Sequence, residues 1–315
     1  MPTRHASIEL GSFLLSRFGR LLLTALLVST IVFFVVRVLP GDPALVVAGI
    51  DASQADVDAI RSRIGTNTPL VRQYLSWIWD LAHLDLGTSF ISGQPVAQLI
   101  AERFPLTLTI ALLGMSLSVC IALPLGVLSA VRRASVWDHL GSVLSQMGMA
   151  LPSFWLGILL LLAFSVRIRI FPLFGAGTIR HLVLPSIALG IARAAVLLRV
   201  TRASVLDELE RPYILTARAK GLPEHTVHYK YALKNALLPM ITIAGIQLGY
   251  MLGGAIIVEQ VFSLPGLGRL FLSGIYQRDF PVIQGGVVFV AIAFSVVNFL
   301  ADIAYGLANP RIRLR

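Results

Sequence analysis

Long stretches without a charged side chain limit the possible folds of this 315-residue chain more than any other feature. They cover residues 21–36, 104–131, 139–166, 235–258 and 280–301. A helix needs about 20 largely apolar residues to cross the hydrocarbon core of a bilayer. The last four stretches are long enough by themselves, and the first becomes long enough if the arginines at its two ends extend to the interface. The sequence therefore predicts an all-α, polytopic membrane protein.

A sixth span is less obvious because it carries charge. Residues 182–200 are apolar apart from Arg193 and end near Arg199. The composition agrees with a membrane protein, since 13% of the residues are charged against about 25% in soluble domains. We therefore expect six transmembrane helices.

The first apolar stretch could instead be part of a cleaved signal peptide. It is slightly longer than a usual signal-peptide core, and the following "VLPGDPA" has no clear A-x-A cleavage site. We interpret residues 18–38 as a retained first span.

The distribution of basic residues predicts the orientation. The chain has a net charge of +10, which by itself could indicate nucleic-acid binding. With the N-terminus placed in the cytoplasm, 16 of the 26 Lys and Arg residues and 7 of the 16 Asp and Glu residues fall on the inner side. The inner side is then strongly basic and the outer side nearly neutral, as the positive-inside rule requires. Both termini are therefore expected in the cytoplasm.

The spans and their connections predict a division of the chain. Its parts are a cytoplasmic tail (1–17), the first transmembrane helix (18–38), an extracytoplasmic insertion with amphipathic helices (39–104), a five-helix transmembrane core (105–306) that includes a cytoplasmic loop (201–235), and a basic cytoplasmic tail (307–315).

The extracytoplasmic insertion contains two candidate amphipathic helices. "SQADVDAIRSRIG" begins with Ser53 and Asp56 at the spacing of a capping box. In "TPLVRQYLSWIWDLAHL", Thr68 is expected to cap the helix and Pro69 suits its first turn. The second helix is expected to have one apolar face and two tryptophans at the membrane interface. The face comprises Val71, Tyr74, Leu75, Ile78 and Ala82, and the tryptophans are Trp77 and Trp79. The insertion is interpreted as a structural lid on the spans or as a docking surface for an external partner.

The motifs of common enzyme classes are absent from the sequence. No G-x-x-x-x-G-K-[ST], H-E-x-x-H or G-x-S-x-G occurs. The six histidines are scattered apart from His225 and His228, which lack a third ligand, and the lone Cys120 cannot form an intramolecular disulfide. We expect no catalytic residue, no metal site and no bound cofactor.

Polar residues within the spans are candidates for a translocation path. Arg193 could line a gate or extend toward the inner face. Gly245, Gly249 and Gly253 repeat at four-residue spacing, which favours close helix packing, with a pore lining as the alternative. The candidate path residues are Arg193, Gln247, Gly249 and Met251. A secondary carrier acting alone stays open as an alternative, although such carriers usually place acidic residues at mid-bilayer. A membrane scaffold or receptor without transport activity is a further alternative.

The cytoplasmic stretch "YILTARAKGLPEHTVHYKYALKNALLP" is basic and broken in the middle. Tyr213 to Lys220 favours a short helix, Gly221 suits its left-handed C-terminal position, and Pro223 with Glu224 can begin a second helix. This arrangement resembles a helix-turn-helix, but transmembrane spans on both sides leave no room for the small core that a DNA-binding module needs. A loop lying on anionic lipid and a docking element for a cytoplasmic partner both remain.

"TARAKGL" followed by "ALKNALLP" resembles the cytoplasmic loop of ABC-importer permeases, with glycine near its centre and Leu-Pro at its end. The sequence is similar to the peptide/nickel branch, and its long outer segment resembles the first of the two paired permeases. Further matching segments are "LPGDPA", "LDLGTSF" (84–90), "LPSFWLGILL" (151–160), "FSLPGLGRL" (262–270) and "RDFPVIQG" (278–285). The general motif opens with Glu-Ala-Ala, whereas this chain has Leu215-Thr216-Ala217, so that glutamate is missing.

The resemblance implies a type I ABC-importer permease in the inner membrane of a bacterium. It would form half of a path with a homologous second permease. Its cytoplasmic elbow would dock into a groove on one of two ATPase subunits, which bind ATP and Mg²⁺, and an external binding protein would deliver the cargo. The small Ala217 and Ala219 would permit close approach, and Arg218 and Lys220 would offer charge. By match, the coupling residues are Tyr213, Leu215, Thr216, Ala217, Arg218, Ala219, Lys220, Gly221, Leu222 and Pro239. The implied cargo is a di- or oligopeptide, with glutathione or a nickel chelate as alternatives within the branch.

Overall fold

The computed structural model describes residues 3–38, 41–49 and 51–308, with side chains from Gly19 onward, and these ranges are almost entirely helical. Residues 309–315 of the predicted basic tail lie outside this description. Two π-helical segments, Leu161–Arg167 and Val227–Ala232, extend α7 and α10. The helices are α1 (Thr3–Val38), α2 (Pro43–Ala48), α3 (Gln54–Arg63), α4 (Leu70–Ala82), α5 (Val96–Val131), α6 (Val136–Ala150), α7 (Ser153–Leu160), α8 (Arg180–Leu209), α9 (Pro212–Ala219), α10 (Glu224–Thr226), α11 (Leu233–Val261), α12 (Leu267–Tyr276) and α13 (Phe280–Ala308).

Five helical stretches within the described ranges are long and apolar enough to cross a membrane. They are Gly19–Val38 of α1, α5, α8, the run Glu224–Val261 that ends with α11, and α13. The pair formed by α6 and the extended α7 passes the same test only as one broken span, bent by 98°. The expectation of six spans is confirmed in this form.

The predicted third span, residues 139–166, is not one continuous helix. α6 ends at Ala150, Leu151 is extended with ψ 121°, and α7 begins after Pro152. A proline forces the preceding residue out of the helical region and has no N–H to donate. Pro152 therefore breaks a stretch that hydropathy alone marks as continuous.

The chain forms two compact units. The first contains the described residues up to Thr107 together with Pro265–Ser295, and the second contains Leu108–Leu264 with the described residues from Val296 onward. In the first unit, α4 packs on α1 around the buried Phe33 and Trp77. The Trp77 indole N–H donates to Ser29 Oγ at 2.6 Å.

The insertion confirms part of the predicted detail and corrects the rest. Ser53 and Asp56 make the capping box of α3. Thr68 does not cap α4, because its hydroxyl donates to the Gly65 carbonyl at 2.8 Å. Trp77 is buried rather than interfacial, whereas Trp79 is 68% exposed. The predicted apolar face of α4 divides: Tyr74 and Ile78 pack inward with Trp77, whereas Val71, Leu75 and Ala82 are exposed.

In the second unit, α8 packs against α6, α7 and α11. Small residues allow α5 and α8 to lie very close together. A Cβ added to Gly190 of α8 would come within 2.7 Å of the carbonyl oxygen of Gly114 in α5. Ser118 Oγ donates to the Gly190 carbonyl at 2.7 Å across the same contact. Close packing through small residues is the usual way in which helices associate within a bilayer.

Candidate functional site

The stretch predicted to be a cytoplasmic loop forms a compact elbow, defined here as residues 211–232. Arg211 is extended, and Pro212 occupies the first turn of α9, where the missing N–H has no cost. A four-residue turn leads from α9 to α10, which continues through the π-helical segment into α11. The predicted helix–glycine–helix arrangement is confirmed.

Gly221 ends α9 in a Schellman motif. Its φ is +74°, in the left-handed region that glycine adopts without a steric penalty. The Gly221 N–H donates to the Arg218 carbonyl at 2.9 Å, and the Leu222 N–H donates to the Ala217 carbonyl at 3.4 Å. These bonds satisfy two carbonyls at the end of the helix.

The elbow has a small hydrophobic core of its own. It consists of the buried Ile214 and Ala217 from α9 and of Val227 and Ala232 from the π-helical segment, with Leu209 and Leu222 packed around them. Ala217 is only 4% exposed. The small size of Ala217 thus serves packing inside the elbow, and its role in the close approach of a partner stays a prediction.

Tyr213 connects the elbow to two transmembrane helices. Its hydroxyl donates to Glu208 Oε2 near the end of α8 and accepts from Asn235 Nδ2, at the start of α11, at 2.9 Å. Partial burial, with the neighbouring carboxylate, raises the pKa of Tyr213, so the hydroxyl keeps its proton at neutral pH. One side chain thus joins α8, α9 and α11.

An ion pair spans the turn of the elbow. Arg218 donates to both carboxylate oxygens of Glu224, at 2.9 and 3.3 Å. His228 Nε2 lies 2.9 Å from Glu224 Oε2. Both members of the arginine–glutamate pair are partly exposed, and such pairs add little to stability. Arg218 thus links the end of α9 to the start of α10 across the turn while keeping part of its guanidinium at the surface.

The exposed side of α9 combines apolar, small and charged residues. Leu215, which stands where related motifs carry glutamate, is 59% exposed, and Ala219 follows it one turn later. Thr216 turns its hydroxyl back to the Pro212 carbonyl at 3.2 Å. Lys220 is the exposed cation at the end of the helix. A partner would meet an apolar contact at Leu215 and a positive charge at Lys220.

The elbow is joined to the long helices of the second unit through Leu209. Leu209 also packs on a second cluster, in which Val127 of α5, Val205 of α8 and Ala236 of α11 are buried. Pro239 lies within α11 and is exposed. A proline has no N–H, so one helical hydrogen bond is missing at this point, but α11 continues past it. A displacement of the elbow would therefore reach three long helices.

Two of the candidate path residues, Arg193 and Gln247, contact each other, and the other two, Gly249 and Met251, are buried. Arg193 Nη1 donates to Gln247 Oε1 at 3.2 Å, and its guanidinium carbon lies 5.9 Å from the centre of the Tyr250 ring. Met251 is fully buried, next to Gly114. Gly249 is also buried. The assignment of Arg193, Gln247, Gly249 and Met251 to a path stays a prediction.

The glycine stripe in α11 is only partly a packing surface. A Cβ added to Gly245 would lie 2.1 Å from the Ala301 Cβ in α13, so this glycine permits a close contact. Gly253 has no atom within 4 Å of the corresponding position.

Sequence reasoning missed the ion pair that ties α6 to α8. Arg202 donates from Nε and Nη2 to the two oxygens of the buried Asp138, at 2.5 and 2.9 Å, and the Ala134 N–H also donates to this carboxylate. One signal was available: Asp138 is the acidic residue at the start of a long apolar stretch. A charge in that position needs a partner when it is buried.

The sequence is similar to those of bacterial transport proteins over nearly its whole length. A protein of Brucella abortus, named for a peptide transport system permease, is 39% identical over 310 residues, covering 96% of this chain and 99% of the relative. The glutathione transport system permease protein GsiC of Pectobacterium atrosepticum is 42% identical over 304 residues, covering 96% and 99%.

The fold also matches a solved transporter structure. An inward-facing MetNI methionine ABC transporter chain aligns with a TM-score of 0.58 at 19% identity, covering 67% of this chain and 97% of that one. At this identity the likeness concerns the fold alone.

Two family profiles match the sequence. Residues 122–314 match the binding-protein-dependent transport system inner membrane component, and residues 10–111 match the N-terminal membrane component of such systems. Members of this family are transport subunits rather than enzymes, and they lie in the inner membrane. The chain belongs to the family of binding-protein-dependent inner membrane components, and it is a permease subunit of an ABC importer.

Proposed function

We propose that this permease imports di- or oligopeptides, or a related small cargo such as glutathione, at the expense of ATP hydrolysed by separate subunits. Support for the cargo comes from relatives of 39% and 42% identity, named for peptide and glutathione transport. ATP and Mg²⁺ are bound by the partner ATPases and not by this chain, which has no phosphate-binding loop in its sequence.

The partner subunits are a homologous second permease, with which this chain forms a heterodimer, two ATPases and an extracytoplasmic binding protein. The observation that carries the coupling mechanism is the Tyr213 hydrogen-bond network, which joins the elbow to α8 and α11. Closure of the ATPases moves the elbow as a rigid body, and its own core transmits that motion to the spans.

Uptake by the reconstituted complex in liposomes tests this function. Radiolabelled di- and tripeptides and glutathione are offered with the binding protein, with ATP enclosed on the cytoplasmic side. We expect uptake of at least one of these ligands that needs ATP and the binding protein and persists when ionophores remove all ion gradients. Uptake that ionophores abolish and that proceeds without ATP would show a secondary carrier instead.

A further inference from the structure

The first unit contains a concave cavity of about 800 Å³. It lies between the C-terminal end of α1, the stretch from the end of α3 through α4, the loop 86–93 and the first turn of α13. The orientation expected from the basic residues places all of these at the outer face of the membrane. The volume is within the range of small-molecule sites.

Two hydrogen bonds fix the position of the Arg37 side chain in the wall of this cavity. Its Nε donates to Gln73 Oε1 at 3.0 Å, and its Nη1 donates to the Phe33 carbonyl at 3.1 Å. Gln73 is itself fixed, because its amide donates to the Thr68 carbonyl at 2.8 Å. Within the described ranges, no carboxylate lies within 4.0 Å of the Arg37 guanidinium, and Nη2 has no hydrogen-bond partner. A positioned guanidinium without an anion is a natural partner for a carboxylate.

The remaining charges of the cavity give it a positive excess. Arg63 and Arg72 line it and are exposed, with no ion pair among the described residues. Asp80 is the carboxylate in the wall, and its Oδ2 lies 3.5 Å from Ser76 Oγ. Among the described residues of the wall, three guanidinium groups and one carboxylate match a ligand with more than one negative group and a single ammonium.

Gln284 provides a second, independent observation. It lines the cavity from the first turns of α13 and is only 3% exposed. Its Nε2 is buried and has no hydrogen-bond acceptor within the described ranges. A buried donor without an acceptor costs about 1–3 kcal/mol, and an acceptor on a bound molecule would remove that cost.

We propose that this cavity binds a small zwitterionic ligand with a free carboxylate, of the amino-acid or short-peptide class. Arg37 binds the carboxylate with support from Arg63 and Arg72, Asp80 accepts from the ammonium, and Gln284 donates to a carbonyl or carboxylate oxygen. The aromatic rings of Trp77 and Phe280 complete the apolar part of the wall. The choice of ligand class rests on the proposed function of peptide import.

Binding to the permease complex in nanodiscs, without the binding protein, tests the proposal. The probe is the dipeptide Gly-Glu, compared with Gly-Gln amide and with inorganic phosphate in isothermal titration calorimetry. We expect Gly-Glu to bind, and Arg37→Gln and Gln284→Leu each to weaken its binding about tenfold or more. Arg72→Gln, at an exposed position that leaves packing intact, is expected to weaken it several-fold. Arg180→Gln alters an exposed arginine outside this cavity and is the matched control.

The outcomes separate this proposal from the proposed function. Absence of Gly-Glu binding, equal binding of Gly-Gln amide or phosphate, or binding that Arg72→Gln and Gln284→Leu leave unchanged would overturn the cavity as a zwitterion site. The same preparation is supplied with the binding protein and tested for ATP-driven uptake of peptides and glutathione. Uptake without binding in the cavity contradicts the site alone, whereas a complex that takes up none of these ligands contradicts the proposed function.

Discussion

Glycine is favoured at position 221 by its backbone conformation and not by a lack of room for a side chain. Its φ of +74° is left-handed, yet a Cβ added there would meet no atom within 4 Å. An L-residue in this conformation loses roughly 1–2 kcal/mol per position, and asparagine tolerates it better than β-branched residues do. The Schellman bonds at Gly221 therefore depend on a residue that accepts this geometry.

Substitution of Gly221 separates strain from contact. Gly221→Val is expected to lower cargo-stimulated ATPase activity and uptake several-fold in the complete complex, because the α9 turn can no longer form without strain. Gly221→Asn adds a side chain of similar reach and should retain most of the activity. Wild-type coupling in Gly221→Val would refute the role of this turn.

Tyr213 allows a test of the link between the elbow and the spans. Tyr213→Phe keeps the ring and removes the hydroxyl that joins Glu208 and Asn235. We expect fewer cargo molecules imported per ATP hydrolysed, with a loss of unfolding free energy of about 1 kcal/mol. Tyr276→Phe, at a residue that is 80% exposed at the end of α12, is the control. An unchanged ratio of import to hydrolysis would mean that this hydroxyl does not transmit motion.

At the scale of elements, the broken pair α6 and α7 shows how local and distant interactions divide the structure. Pro152 breaks the helix through its own chemistry. The start of α6 is instead held by Asp138, which reaches across 64 residues of sequence to Arg202 in α8. This ion pair anchors α6 on the helix that leads directly to the elbow.

A double-mutant cycle measures that anchor. Asp138→Asn removes the charge but keeps an oxygen that can accept from the Ala134 N–H. We expect a loss of about 1.5–3 kcal/mol in the free energy of unfolding, as for hydrogen bonds to charged groups. Arg202→Gln in the Asp138→Asn background should cost little more, because the two residues act together. Fully additive losses in detergent-solubilised protein would show that the pair is not coupled.

The elements that the sequence predicts are those whose causes are local. The end of α9 at Gly221 and the capping box at Ser53 follow from residues a few positions apart, and both are present. The bonds of Tyr213 join residues separated by 5 and 22 positions, which no local pattern encodes. Trp77 illustrates the same limit, because a tryptophan suits both a membrane interface and a core with a polar partner.

At the scale of the molecule, hydropathy predicts the class of protein, and motif resemblance predicts the family. Apolar stretches indicate the spans because the backbone must satisfy its own hydrogen bonds in lipid. They cannot indicate which side chains line a path, since packing within and between subunits decides this. The fit of the elbow to an ATPase depends likewise on a second surface, which this sequence does not contain.

Cross-linking between the elbow and an ATPase subunit tests the central claim of coupling most directly. In a Cys120→Ser background, Lys220→Cys places a thiol on the exposed end of α9, and Arg169→Cys places one on an exposed loop expected outside the membrane. With an active complex in membranes, a short bifunctional reagent should join Lys220→Cys to the ATPase, with a yield that changes on ATP binding, and should leave Arg169→Cys unlinked. A transport-active complex in which Lys220→Cys never reaches the ATPase, with or without ATP, would contradict the account.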